Sequence, residues 1–205
     1  MAQYYLGRMD EEGPLFSWVV AVARRLRPQV PFLTMRSFEK ASVMKLEFEC
    51  ITIEKADGTS AILGHAGFIK TVEDLYEAMV GSVPGVKFGI AFAEASGPCL
   101  VRSDGNDDGL RAQAERNILN IAAGHTFLIL FTEAYPINVI SGVKHVNEVA
   151  AIYCATSNPV QVIVAKVGDG RSVIGIVDGL SSCAVETEDD KRNRLKLLRD
   201  LGYKK

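Results

Sequence analysis

Met44-Lys-Leu-Glu-Phe-Glu-Cys-Ile-Thr-Ile-Glu54 alternates apolar and polar residues with a period of two. That period sends successive side chains to opposite faces, so the stretch reads as a half-buried strand. It marks where the compact domain begins. Residues 1–43 show no clear alternation and hold the only Trp, the basic cluster Arg24, Arg25 and Arg27, and Pro28 and Pro31. Met44 therefore reads as the initiator, and residues 1–43 as an N-terminal extension that is mis-called, disordered or dispensable. Residues 44–205 suffice for one domain.

Downstream of an Asp57-Gly58 turn, Ser60 to Leu63 reads as a short strand and Gly64-His65-Ala66-Gly67 as a tight loop. Thr71-Val-Glu-Asp74 has the N-cap hydroxyl and following acid of a capping box, and Val72, Leu75, Tyr76, Met79 and Val80 form one helix face ending at Val83-Pro84-Gly85. Strand Lys87 to Glu94, a Ser96-Gly97-Pro98 turn, strand Cys99 to Arg102 and a loop from Asp104 follow. A helix from Leu110 to Ala123 closes at Gly124, and Thr126 to Phe131 is a dense apolar strand. Pro136 suits the first turn of a helix running to Val143. Ala151–Ala155, Gln161–Val167 and Ser172–Val177 read as strands, and Thr187-Glu-Asp-Asp190 caps a final helix stopping at Gly202. Strict βαβ alternation is missing. The pattern predicts an α+β domain, a mixed β-sheet with helices packed on it.

The 205 residues are 48% hydrophobic and 23% charged, with 23 Lys and Arg against 25 Asp and Glu. This is the composition of an ordinary globular protein. A net charge of −2 supplies no field for neutralising a duplex, which argues against nucleic acid as a partner. The longest apolar run, Leu15 to Ala23, is far shorter than the roughly 20 residues a bilayer requires, which argues against a membrane. Acidic Asp10, Glu11 and Glu12 stand where a signal peptide is basic. Cys50, Cys99, Cys154 and Cys183 are widely spaced, without a paired metal or redox motif. These features together predict a reduced, cytoplasmic protein.

Known chemical motifs are scarce. G-x-x-x-x-G-K-[ST], G-x-S-x-G and H-E-x-x-H are missing, and His65, His125 and His145 lack helical metal-ligand spacing. Gly168-Asp-Gly170 lacks the third glycine of a dinucleotide loop and reads as a hairpin turn. Asp104-x-Asn106-x-Asp108-Gly109 with Glu115 fits the calcium-loop pattern, but a strand occupies the place of its entering helix. It reads as a turn whose Asp107 or Asp108 caps the next helix, so no metal site is expected.

Polar groups gather instead at strand ends and turns: His65, Lys70 and Thr71; Glu94, Ser96 and Gly97; Arg102, Asp104 and Asn106; His125; Asn138; Thr156 and Asn158. Loops on a fixed sheet are where functional groups collect. Each also has a structural alternative. Gly97 and Gly105 can supply positive φ, Thr71 can cap its helix, Glu94 can be solvated, and His125 can satisfy the last helix carbonyls. The number of separate loops bearing such groups points to a shared pocket.

Several longer blocks are more specific. Phe68-Ile-Lys-Thr-Val-Glu-Asp-Leu-Tyr-Glu-Ala78, Ser82 to Phe92, Glu94 to Arg102 with Asp104-Gly-Asn-Asp107, Ala123-Gly-His125, Pro136-Ile-Asn-Val139, and Tyr153 to Thr156 with Asn158-Pro159 resemble the adenosine-specific kinase family. The resemblance spans nearly all of Met44 to Lys205. It implies a compact α+β homo-oligomer, a trimer, that binds adenosine or AMP and carries a phosphoryl group on a histidine. The family pattern has His directly before Phe-Ile-Lys; this chain has Gly67 there and His65 two residues earlier. On this reading Lys70 and Arg102 neutralise phosphoryl charge, and Asp104 or Glu94 orients a ribose hydroxyl or takes its proton. His65 or His125 is the nucleophile. Thr71, Ser96, Gly97, Asn106, Asn138, Thr156 and Asn158 contact the nucleoside. The cofactor is unspecified beyond magnesium accompanying a phosphate donor. A non-catalytic adenosine or AMP binding module, and a structural oligomer, are the competing readings.

Overall fold

The computed structural model describes residues 45–205. The expectation for residues 1–43 lies outside the described residues. Eight strands form two sheets, with every paired neighbour antiparallel. The larger contains β2 (Ser60–Ala66), β3 (Lys87–Ala93), β4 (Val101–Gly105), β5 (Thr126–Thr132) and β6 (Val149–Thr156), in the order β4-β3-β5-β2-β6. The smaller contains β1 (Leu46–Thr52), β7 (Val160–Val167) and β8 (Gly170–Asp178), with β7 central. The helices are α1 (Thr71–Ser82), α2 (Asp108–Ile121), α3 (Pro136–Lys144) and α4 (Glu188–Asp200). The α+β architecture is as the sequence predicts.

The dense apolar run of β5 has a simple cause: the five-stranded sheet is buried on both faces. Phe127, Ile129 and Phe131 join Phe88, Ile90 and Phe92 in one core, against Leu75 and Met79 of α1 and Val139 and Val143 of α3. Leu128 and Leu130 point the other way, with Leu63 and Ala91, against Ile118 and Ile121 of α2 and Val162 and Val164 of β7. Each such fully buried side chain contributes about 1.5–3 kcal/mol. The resulting order is helices, sheet, then α2 with the smaller sheet.

Several boundaries move. Gly64 and His65 lie within β2 rather than in a loop, because a Cβ at Gly64 would sit 2.5 Å from the Phe127 ring. Glycine there admits the ring, so the strand continues. β4 runs on through Asp104 to Gly105. The turn after it is clamped by Asn106, whose Oδ1 accepts from Phe88 N–H at 2.9 Å and whose Nδ2 donates to Val86 C=O at 2.7 Å. Asp107 then caps α2 by accepting from Leu110 N–H. The left-handed stop of α2 is Ala122, with φ 48°, rather than Gly124, and its N–H donates to Ile118 C=O. Thr71 is not the N-cap of α1, a position held by Lys70; its hydroxyl donates to Phe68 C=O at 2.6 Å.

In β1 the alternation changes phase at Cys50–Ile51. Ile51 and Ile53 turn into the core, whereas Leu46 and Phe48 remain 53% and 62% exposed on the outer face. One buried polar residue fixes the end of this strand. Asn117 of α2 accepts from Glu54 N–H and donates to Glu54 C=O, both at 2.8 Å. Asn117→Ala should therefore lower the unfolding free energy by about 2–4 kcal/mol, because both groups of Glu54 lose their partners. Urea denaturation reads this out; a loss below about 0.5 kcal/mol would contradict the clamp.

Candidate active site

The central strands β3, β5 and β2 are covered on both faces, so polar groups collect at their ends and on the edge strands. At one end three strands meet around His125. Its backbone N–H donates to Ala93 C=O at 2.7 Å, and its carbonyl accepts from Ala66 N–H at 2.9 Å. The residue has φ 61°, a left-handed conformation uncommon outside glycine. Such strain concentrates where function fixes a side chain. The imidazole lies parallel to the Phe92 ring at 6.0 Å between centroids, and meets the His65 ring edge-on at 5.8 Å. Glu94, just past β3, places Oε1 3.9 Å from His125 Nε2. The helix carbonyls play no part, since Ala122 closes α2.

Burial, reinforced by the neighbouring His125, holds the His65 pKa below its ordinary 6.5. His65 is therefore neutral at neutral pH.

The basic groups belong to the α1 side. Lys70 pairs with Asp74 and with Glu148, and hydrogen bonds to these two carboxylates raise its pKa. Glu148, whose side chain is only 5% exposed, also accepts through its backbone carbonyl from Gly67 N–H at 3.1 Å. Lys70 is thus tied to the end of β2. A Cβ at Gly67 would meet nothing nearer than His125 Nδ1, at 4.0 Å. Arg102 projects from β4 to Ile69 C=O and lies 3.4 Å from Glu73. Sequence reasoning missed Glu148 and Asp74. Nothing in the Asn147-Glu148 pair marks it, because its role arises only when β6 pairs with β2.

The remaining candidates divide. Ser96 and Gly97 lie in the β3–β4 turn, close in sequence to Glu94, with Gly97 at φ 57°. Asp104 lies mid-way along β4 opposite Ile90 and caps Gly105 N–H. Thr71 and Asn106 are engaged by the bonds described above. Asn138, Thr156 and Asn158 lie at the opposite end of the sheet: Thr156 pairs with Ala61, whereas His65 pairs with Ala151. Thr156 Oγ1 and Asn158 Nδ2 both donate to Asp178, at 2.8 and 3.0 Å, while Asn138 accepts from Tyr135 N–H. The structure therefore gathers His65, His125, Glu94, Lys70 and Arg102, and leaves the three distant residues out. Among the described residues no cluster of three or more His, Cys, Asp or Glu could hold a metal ion, and no helix is long and apolar enough to cross a membrane.

The chain belongs to the adenosine-specific kinase family: the Adenosine specific kinase model matches residues 51–204. It is similar to the crystal structure of the PH1918 protein from Pyrococcus horikoshii OT3, with a TM-score of 0.76 and 48% identity over 78% of this chain and 99% of that one. None of the curated proteins searched matches it.

The depressed His65 pKa has a stability consequence. The folded protein binds His65's proton less readily than the unfolded chain, so the neutral ring's contribution is full above pH 6.5 and is lost as pH falls through the folded pKa. His65→Gln should flatten the fall of Tm as the pH drops below 6.5. Parallel Tm profiles for wild type and variant would show that His65 is not the group responsible.

Proposed function

We propose that this chain phosphorylates adenosine, and that the phosphoryl group passes through His125. The observation that carries the reading is the joining of His125 to three strand ends, with Glu94 at Nε2 and Gly67 beside Nδ1. A proton on Nε2 directed at Glu94 leaves the Nδ1 lone pair as the nucleophile. The 3.9 Å separation is of the kind that tightens when substrate closes the site.

In the first step Nδ1 attacks the terminal phosphorus of a nucleoside triphosphate. The P–N bond forms, the bond to the bridging oxygen breaks, and the diphosphate departs with that electron pair and its magnesium. In the second step the adenosine 5′-hydroxyl attacks the same phosphorus. The P–N bond breaks, its electron pair returns to Nδ1, and the hydroxyl proton passes to solvent. Lys70 and Arg102 spread the charge that develops on the phosphoryl oxygens, which is the main requirement of phosphoryl transfer. Neutral His65 avoids a second positive charge beside His125, keeping that imidazole available.

A homo-oligomer, a trimer by family resemblance, belongs to the same proposal. Exposed Leu46 and Phe48 on the smaller sheet, and α4 with no buried residue, support self-association. The four cysteines are free, which supports a reducing, cytoplasmic setting.

The competing reading is a non-catalytic adenosine or AMP binding module, favoured by the lack of a triphosphate-binding motif. Incubation with adenosine and terminally labelled ATP separates them. Labelled AMP is expected; saturable adenosine binding without labelled product establishes the module instead. His125→Ala should abolish acid-labile protein phosphate and lower turnover by about 10²–10⁴-fold. Retention of that phosphate would move the nucleophile elsewhere. Lys70→Ala should weaken AMP about tenfold while changing adenosine little, and equal losses for both ligands would remove its phosphate role.

A further inference from the structure

Among the described residues one buried side-chain polar atom has no hydrogen-bond partner, Glu148 Oε2. The side chain is only 5% exposed, and the cation that meets its other oxygen, Oε1, is Lys70. A buried carboxylate with one bare oxygen is costly, so its presence in a folded protein calls for a reason. We infer that Glu148 is a positioning residue: it fixes the Lys70 ammonium at the end of β2, so that the donor left over on that ammonium meets the transferring phosphoryl group. The inference rests on the proposed function and adds the residue that aims its lysine.

Three observations connect Glu148 to the chemistry. An ammonium has three N–H donors. Asp74 and Glu148 take two of them, and Lys70 remains 46% exposed, so one donor is left for an anion. The two carboxylates also differ as anchors. Asp74 lies one turn along α1 and is partly exposed, and pairs of that kind hold a side chain weakly because water and salt screen them. Glu148 is buried, and loss of its cation would strand a charge away from water, so the lysine is not free to swing out. Lastly, Glu148 sits on backbone that also borders the histidine. Its carbonyl accepts from Gly67 N–H at 3.1 Å, the adjoining Val149 pairs with Ala66, and His125 Nδ1 is the atom nearest to where a Gly67 Cβ would lie. Lysine and imidazole are thus fixed to one strand end.

The charges around Lys70 separate positioning from binding. One cation faces two carboxylates, so Lys70 offers an anion a directed donor rather than an attractive field. Removing the Glu148 charge therefore loosens the lysine without weakening attraction for phosphate. Hydrogen bonds to Asp74 and to Glu148 raise the Lys70 pKa, and losing one of them lowers it. The other charged groups nearby, Arg102 of β4 with Glu73 of α1, and His65 with His125 at the strand ends, stay unchanged.

Glu148→Gln in the full chain should lower kcat with adenosine and ATP at least about tenfold, while the Kd for AMP stays within about twofold or tightens. Asp74→Asn should keep kcat within about threefold. In a Lys70→Ala background, Glu148→Gln should change kcat little further and should raise Tm, because a neutral amide replaces the stranded carboxylate. Glu148→Asp keeps the charge but retracts it by one methylene; it should lower kcat with AMP affinity kept, and carries the test if Glu148→Gln does not fold. Without substrate, the pH midpoint for acetylation of Lys70 by acetic anhydride, read by peptide mass spectrometry, should move lower in Glu148→Gln. Equal losses of kcat and AMP affinity, additive effects of the Lys70 and Glu148 substitutions on kcat, or an unmoved midpoint in a protein that turns over would overturn the positioning role alone. Wild-type protein without turnover would overturn the proposed function and the positioning role together.

Discussion

The covering of the five-stranded sheet on both faces governs everything else in this molecule. Phenylalanines and isoleucines fill one side, and leucines, alanines and valines fill the other. Neither face has room for chemistry. Ionisable groups therefore gather at the ends of the central strands and on the edge strands, and His125 is where three of those ends are joined. Its two backbone bonds hold the strands, and its strained φ aims the ring. Fold and site share one residue at that point.

From this placement a division of charge follows. On the α1 side, Lys70 and Arg102 supply cations, held by Asp74, Glu148 and Glu73. On the α2 side, Arg171 is occupied by the end of α2 and by Glu49.

Much of this was legible in the sequence. Period-two alternation located β1, and the dense run Thr126 to Phe131 located the sheet's centre. Asp107 and Thr187 acted as the helix caps their positions suggested. His65, His125, Glu94, Lys70 and Arg102 were all named as candidates from their loops. What escaped was whatever depended on close approach between distant segments. Gly64 read as a loop because the Phe127 ring that needs it lies on another strand. Glu148 carried no local signal, since strand pairing alone brings it to Lys70. Conversely, Asn138, Thr156 and Asn158 resembled binding groups, yet each has a hydrogen-bonded partner at the far end of the sheet.

The chain contains three histidines, which makes the location of the site directly observable. His145 ends α3, its ring bonded to Ser141 C=O at 2.6 Å, and lies outside the site described above. Nitrogen-detected NMR of the histidine-labelled protein during adenosine titration would follow all three rings at once. The account predicts saturable shifts at His65 and His125 while His145 stays unchanged. Saturable binding that moves His145 alone, or none of the three, would contradict it.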